Sequence, residues 1–231
     1  MLELKFPEPL PHELILEPKQ TMKGFAPTSF KSKITLGEPL TQAIRKDAAE
    51  ADLDLKQFIE QQSKQWNFFA VQLACTFAAN SGEQFEQAFI KIALSATGAM
   101  SAAPPIAWSM RPFKLTQKID SPGKVELGAE LKFGPVVSVK PSVSVPVPGK
   151  EAVYLQAYNE LQSDPYWRFK AISGQDIEGS QRLHLVVRVP KNIEGTGAVS
   201  VEVDIKKSKF GLFSFNGRVP DAAHSSFLMK A

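Results

Sequence analysis

Three histidines, one cysteine and a spread of carboxylates are the residues of this chain that could do chemistry, and their spacing decides whether they can. A serine hydrolase needs a base within reach of the nucleophile and a third group to orient that base. The available bases are His12, His184 and His224. His12 lies in a proline-rich stretch, His224 in the tail Asp221-Ala222-Ala223-His224-Ser225-Ser226, and His184 on the polar side of an alternating run. No serine sits in the Gly-x-Ser-x-Gly surround of a nucleophile elbow. Cys75 shares its face with Leu73 and Phe77, which is the setting of an inert buried thiol. As the single cysteine it can form neither an internal disulfide nor a multi-cysteine metal site.

Other chemistries fail on spacing. Gly123-Lys124-Val125 and Gly149-Lys150-Glu151 lack the glycine spacing and the Ser/Thr of a phosphate-binding loop, and no G-x-G-x-x-G occurs. Asp47, Glu50 and Asp54 could share a cation on a helix, but such carboxylates ordinarily form a solvated helix face. No His or Cys pair has metal-ligand spacing. The expectation is no cofactor, no metal and no catalytic residue, with an enzyme less favoured than a non-enzymatic role. Lys+Arg total 27 against 24 Asp+Glu, a net charge of +3, and the densest cationic cluster is Lys206, Lys207 and Lys209. A phosphate-tracking surface needs more clustered cations, so no nucleic-acid partner is expected.

The elements that would position these residues are mostly strands. Residues 1–39 hold Pro7, Pro9, Pro11, Pro18, Pro27 and Pro39 among apolar residues, which reads as an extended arm lying on its own domain or on a partner. Residues 40–231 read as one β-rich domain, with a candidate internal boundary at the small-residue loop 98–105. Leu40, Ile44, Ala48, Ala51, Leu55, Phe58 and Ile59 recur at helical spacing and predict one amphipathic helix over about 40–64. Residues 66–97 alternate on either side of Asn80-Ser81-Gly82 and predict a β-hairpin, with alanine content as the argument for helix. From residue 114 the period is 2 almost throughout, in runs such as Leu183–Val189 and Val199–Ile205. Trp167, Phe169 and Ala171 point inward on another strand. Short strands punctuated by turns, without crossover helices, predict a mainly β fold, an antiparallel β-sandwich. If 190–197 connects a hairpin, Arg188 meets Glu202 and His184 meets Asp204 as ordinary cross-strand pairs.

Three functions compete. The first is a non-enzymatic assembly or protein-partner-binding module, with a protein partner or a homo-oligomer, binding through Leu4, Phe6, Leu10, Leu14, Leu16, Val139 and Val143. Pro135, Pro141 and Pro146 support it, because prolines guard an edge strand against unwanted pairing. The second is a membrane-active, pore-forming-like protein using a hairpin over 124–147. There Val125, Leu127, Ala129, Leu131 and Phe133, then Val137, Val139, Val143, Val145 and Val147, alternate with Ser, Gly, Lys and Glu. A sandwich hairpin with one wet face has the same pattern, and membrane contact is the less favoured reading. The third is a hydrolase or small-ligand binder with 98–112 as a lid and Trp108 and Trp167 near a pocket. The N-terminus has no basic stretch followed by an apolar one, and the longest apolar run, Phe68–Ala79, is too short for a spanning helix. The expected location is cytoplasmic.

Overall fold

Alternating residues in 66–97 and 179–209 build four long strands that form the middle of the molecule. They are β5 (Trp66–Ala78), β6 (Glu83–Thr97), β11 (Gly179–Pro190) and β12 (Glu194–Lys209). The computed structural model describes residues 6–18, 29–45, 53–97, 103–118, 151–209, 213–219 and 224–230. Two antiparallel sheets pack face to face as a β-sandwich. One runs β1 (Pro11–Leu14), β3 (Lys33–Gly37), β5, β11, β7 (Ile106–Arg111), with β4 (Leu40–Ala43) also on β5. The other runs β2 (Glu17–Pro18), β13 (Phe213–Arg218), β12, β6, β10 (Tyr166–Lys170), β9 (Glu151–Tyr158), β8 (Lys114–Lys118), with β14 (Ser225–Met229) on β12. We call these sheets A and B.

The strands over 66–97 form as expected, but their pairing does not. β5 and β6 lie in different sheets, so the turn through Gly82 (φ 79°) is an arch across the sandwich rather than a hairpin. The reason is burial. Phe69, Val71, Leu73, Cys75 and Phe77 on β5 and Phe85, Ala88, Ile90, Ile92 and Leu94 on β6 bury their apolar sides against each other. Phe77 and Phe85 meet edge to face at 5.6 Å across the arch. β11 and β12 repeat the device, joined through Lys191–Ile193, while β11 pairs β5 and β12 pairs β6. The expected Arg188–Glu202 and His184–Asp204 pairs therefore do not form. The two strands face each other through the core and share no hydrogen-bond ladder.

The helix is shorter than its periodicity predicts. Leu40–Ala43 is β4, pairing Leu40 with Gln72 and Ala43 with Phe69, and α1 spans Leu53–Gln62. Backbone pairing with β5, extended by Ile44 N–H donating to Phe68 O, overrides the apolar spacing of 40–44. Residues 46–52 lie outside the described residues. α1 lays Phe58 and Ile59 on the outer face of sheet A against Phe68, Ala70 and Val186.

The described part of the arm packs on its own chain. β1 pairs β3, and Pro9 occupies the space over Gly37 that any Cβ would need. The chain then crosses through Ile15 and Leu16 to β2 on sheet B, closing one side of the sandwich. At the other side β7 passes into β8 through Pro112, whose carbonyl accepts a hydrogen bond from Trp167 Nε1 at 3.0 Å. β6 and β7, which flank the candidate boundary at 98–105, lie in different sheets over one shared core.

Candidate functional site

Among the described residues the groups that could do chemistry are dispersed. His12 lies 3.5 Å from Glu38 at the surface, and His224 Nε2 is 3.3 Å from Val201 O. Cys75 is 1% exposed, and burial pushes its thiol up to about 12, so it stays protonated and unreactive. No group of three His, Cys, Asp or Glu could hold a metal among the described residues. Trp108 and Trp167 do not share a pocket as the ligand-binder reading required. Trp167 is fully buried between the sheets, whereas Trp108 packs on the outer face of sheet A beside Phe58 and Phe68. Residues 106–111 of the expected lid are strand β7, held in sheet A by β11.

A cleft of about 370 Å³ opens at one end of the sandwich, lined in part by Glu83, Gln84, Asp176, Glu178 and Lys206. Its best-placed acid is already committed to structure. Glu83 accepts from the Lys31 and Ser32 backbone N–H groups, from Ser32 Oγ at 2.7 Å and from Lys207 Nζ at 2.9 Å. Burial pushes its carboxyl up, but the hydrogen bonds from Lys207, Ser32 and Lys31 outweigh burial and hold it below the usual range. Asp176 Oδ1 accepts from Gln84 Nε2 at 2.6 Å. Glu83 thus ties the segment entering β3 to the ends of β6 and β12.

The arrangement with a function to explain is the strand pair β8–β9. These are adjacent antiparallel strands at the edge of sheet B, with Lys118 opposite Glu151, Gln117 opposite Ala152 and Thr116 opposite Val153. Antiparallel neighbours need only 2–5 residues to connect, yet roughly 30 residues, 119–150, run between these two ends. The inner side of β9 is anchored by Leu155 and Ala157, which are buried, and its other edge pairs with β10. Hence the two ends from which 119–150 departs and to which it returns are in hydrogen-bonding register. The expected hairpin over 124–147, with Val139 and Val143, lies outside the described residues, as does Leu4.

The remaining residues expected to bind a partner are divided by their surroundings. Leu14 and Leu16 are half-buried against the main core, and Phe6 is half-buried on the outer face of sheet A. Leu10 is 64% exposed, as is Ile15 at 74%. Sequence reasoning gave Arg188 to Glu202 and missed its ring partners: its guanidinium lies 4.2 Å from the Trp66 ring centroid and 4.7 Å from that of Trp108. It also missed the outward row of sheet B, where Tyr158 and Tyr166 stack at 4.9 Å and Arg168 lies over Tyr158. The alternation of 166–170 carried that second signal, since Tyr166 and Arg168 take the face opposite Trp167 and Phe169.

No helix among the described residues is long and apolar enough to cross a membrane. No protein-family model matches the chain, and no curated protein does. Among solved structures it is similar to Clostridium perfringens delta-toxin, with a TM-score of 0.30 and 11% identity over 94% of this chain and 86% of that one. It is also similar to a pore forming protein, with a TM-score of 0.33 and 10% identity over 94% of this chain and 90% of the other. Likenesses at this level leave the reading to the chain's own residues.

Proposed function

We propose that this β-sandwich works by association rather than catalysis: copies assemble with one another, and each delivers residues 119–150 into a lipid bilayer as a β-hairpin continuing β8 and β9. The observation that carries this reading is the register of Lys118 with Glu151, two adjacent strand ends joined by a connection many times longer than they require. Within it, the alternating runs 124–133 and 137–147 are each about 10 residues, the length of a bilayer-crossing strand. Val and Leu on one face suit lipid, while Ser, Lys and Glu on the other suit a wet lumen. A single hairpin leaves two unpaired edges in hydrocarbon, so only a barrel closed by several copies satisfies the backbone. Self-assembly thus follows from insertion.

Dye-filled liposomes test it. The whole chain is expected to release dye, and Val139→Arg or Val143→Arg is expected to abolish release with the sandwich intact, because an arginine on the lipid face costs about 2–4 kcal/mol near the midplane. Replacing 120–149 by Asn-Gly should give a folded, inactive protein. Absence of leakage by the unmodified chain at micromolar concentration, from about pH 5 to about 8, would overturn the reading.

A second reading, a cytoplasmic module that binds a protein partner, is supported by a different observation. The outer edge of β1 has no strand partner among the described residues, and Leu10 and Ile15 stand exposed beside it. Leu10→Lys with Ile15→Lys should then lower the mass measured by light scattering without unfolding the chain. Under the membrane reading the same pair should leave leakage unchanged.

A further inference from the structure

The cleft beside the β5–β6 arch keeps charge of both signs once Glu83 is set aside. Three neighbouring segments bring Lys206, Gln84 and Asp176 together: Lys206 stands opposite Gln84 in the β12–β6 ladder, and Gln84 Nε2 donates to Asp176 Oδ1. Lys206 is 42% exposed, and its Nζ lies 3.9 Å from Glu86 Oε1, a loose contact. Glu178, also on the cleft, is exposed and makes no ion pair among the described residues. Beside the acidic pair lies Tyr154, 4% exposed, whose hydroxyl sits next to the Glu178 backbone in the field of Asp176 and completes no hydrogen bond among the described residues. A buried hydroxyl left over in this way marks a wall with room for a polar occupant. The volume, about 370 Å³, is that of a small-ligand site. Register also fixes where the cleft lies. Phe169 of β10 stands opposite both Ala88 of β6 and Leu155 of β9, so β6 and β9 run in the same direction. Going from Ala88 to Glu83, and from Leu155 to Glu151, therefore leads to one end of sheet B. The cleft and the Lys118–Glu151 pair share that end.

We propose that this cleft binds the headgroup of phosphatidylethanolamine, with the phosphate on Lys206 and the ammonium between Asp176 and Glu178. A lysine beside two carboxylates matches a zwitterion whose phosphate and ammonium are joined by a short ethylene bridge. A lone anion would meet the carboxylates as well as the lysine, and a lone cation would meet the lysine. The ethanolamine ammonium brings three N–H donors to the carboxylates, whereas a choline brings none and is held by open aromatic faces. Phe85, the aromatic ring among the described lining residues, is 1% exposed and packs on Phe77, so it offers no face to a quaternary cation. The choice of a lipid over a free phosphodiester rests on the reading of 119–150 as a bilayer-crossing hairpin. That hairpin leaves from the same end of sheet B, so insertion brings the cleft onto the headgroup layer.

One arm of the test titrates the ¹⁵N-labelled full chain with glycerophosphoethanolamine, followed by NMR. The Gln84 side-chain amide and the backbone signals of residues 176–178 should shift, while those of Tyr158 and Tyr166, further along sheet B, should stay. Glycerophosphocholine should bind at least about tenfold more weakly, and so should glycerophosphoethanolamine to the double variant Asp176→Asn/Glu178→Gln or to Lys206→Gln, because each loses charge-assisted hydrogen bonds. Asn at position 176 still accepts from Gln84, and unchanged signals from Tyr158 and Tyr166 report an intact fold. Equal affinity for the choline compound, equal affinity for inorganic phosphate alone, absence of any shift, or binding unaltered by the substitutions would each overturn the proposal. The second arm compares leakage from phosphatidylcholine vesicles with and without phosphatidylethanolamine. The ethanolamine lipid should raise leakage by the unmodified chain by at least about tenfold, and the double variant should lose that gain, which separates recognition from a general effect on the bilayer. Leakage that is equal in both vesicles overturns the cleft site and leaves the hairpin reading standing. Titration without leakage from either vesicle does the reverse.

Discussion

The outer faces of the two sheets begin from similar alternating strands and end as different environments. On sheet A, α1 and Phe6 cover Phe68, Ala70 and Val186, and the embedded cation, Arg188, has aromatic rings and no ion pair among the described residues. Its guanidinium is held between two indole rings, burial draws its pKa below the usual value, and Nε has no acceptor among the described residues. On sheet B the corresponding cation, Lys91, is 42% exposed, reaches Glu202 at 2.5 Å and lies over Phe89. The lesson concerns desolvation. Where an element covers the face, aromatic rings take over from carboxylates as the partners of a cation. Where water has access, an ordinary ion pair suffices and contributes little.

Matched substitutions break this comparison. The largest difference is expected between two outward phenylalanines. Phe68, 3% exposed beneath α1, should cost about 3–5 kcal/mol on replacement by Ala, whereas Phe89→Ala on the open face should cost about 1 kcal/mol or less. Urea unfolding midpoints measure both, and equal losses would mean that α1 does not cover Phe68 in solution. Next come the cations. Arg188→Ala removes a guanidinium stacked on two rings and should cost about 2 kcal/mol, since a desolvated cation–π contact contributes about that much. Arg188→Met sharpens the point, because it refills the slot between Trp66 and Trp108 without a charge to desolvate and should recover at least half of the loss. The smallest effect belongs to sheet B. Lys91→Ala or Glu202→Gln should change stability by less than about 1 kcal/mol, and that difference should shrink further in about 1 M salt. The Arg188 variants should be insensitive to salt.

How much of this could be read along the chain varies with the range of the forces involved. The inward sets on β11 and β12, and Trp167 with Phe169 on β10, follow directly from alternation, because successive side chains on an extended backbone must take opposite faces. The amphipathic spacing of 40–64 misled at its start, since Leu40–Ala43 can also be extended and a neighbouring edge of β5 was there to pair with it. For the candidate site, the alternation of 124–147 was visible. The register of Lys118 with Glu151 was not, and without it the same alternation describes an ordinary sandwich hairpin. Arg188 between its two indoles carried no local signal, because Trp66, Trp108 and Arg188 come from three different strands.

The sequence by itself determined which residues are extended, which face of each strand is apolar, and that the chain forms a mainly β fold with few helical residues. Those properties are set by side-chain sterics and by the two-residue period of a strand, and both act within a few residues. Only the tertiary structure decided that β5–β6 and β11–β12 are arches between sheets, that His184 pairs in register with Gln72 and Arg111 instead of Asp204, and that β8 and β9 are neighbours. A turn of three or four residues can return a strand beside itself or over itself with equal local ease. The choice between the two is made by whether large apolar faces, here those meeting at Phe77 and Phe85, leave more surface exposed when laid side by side than when closed on each other.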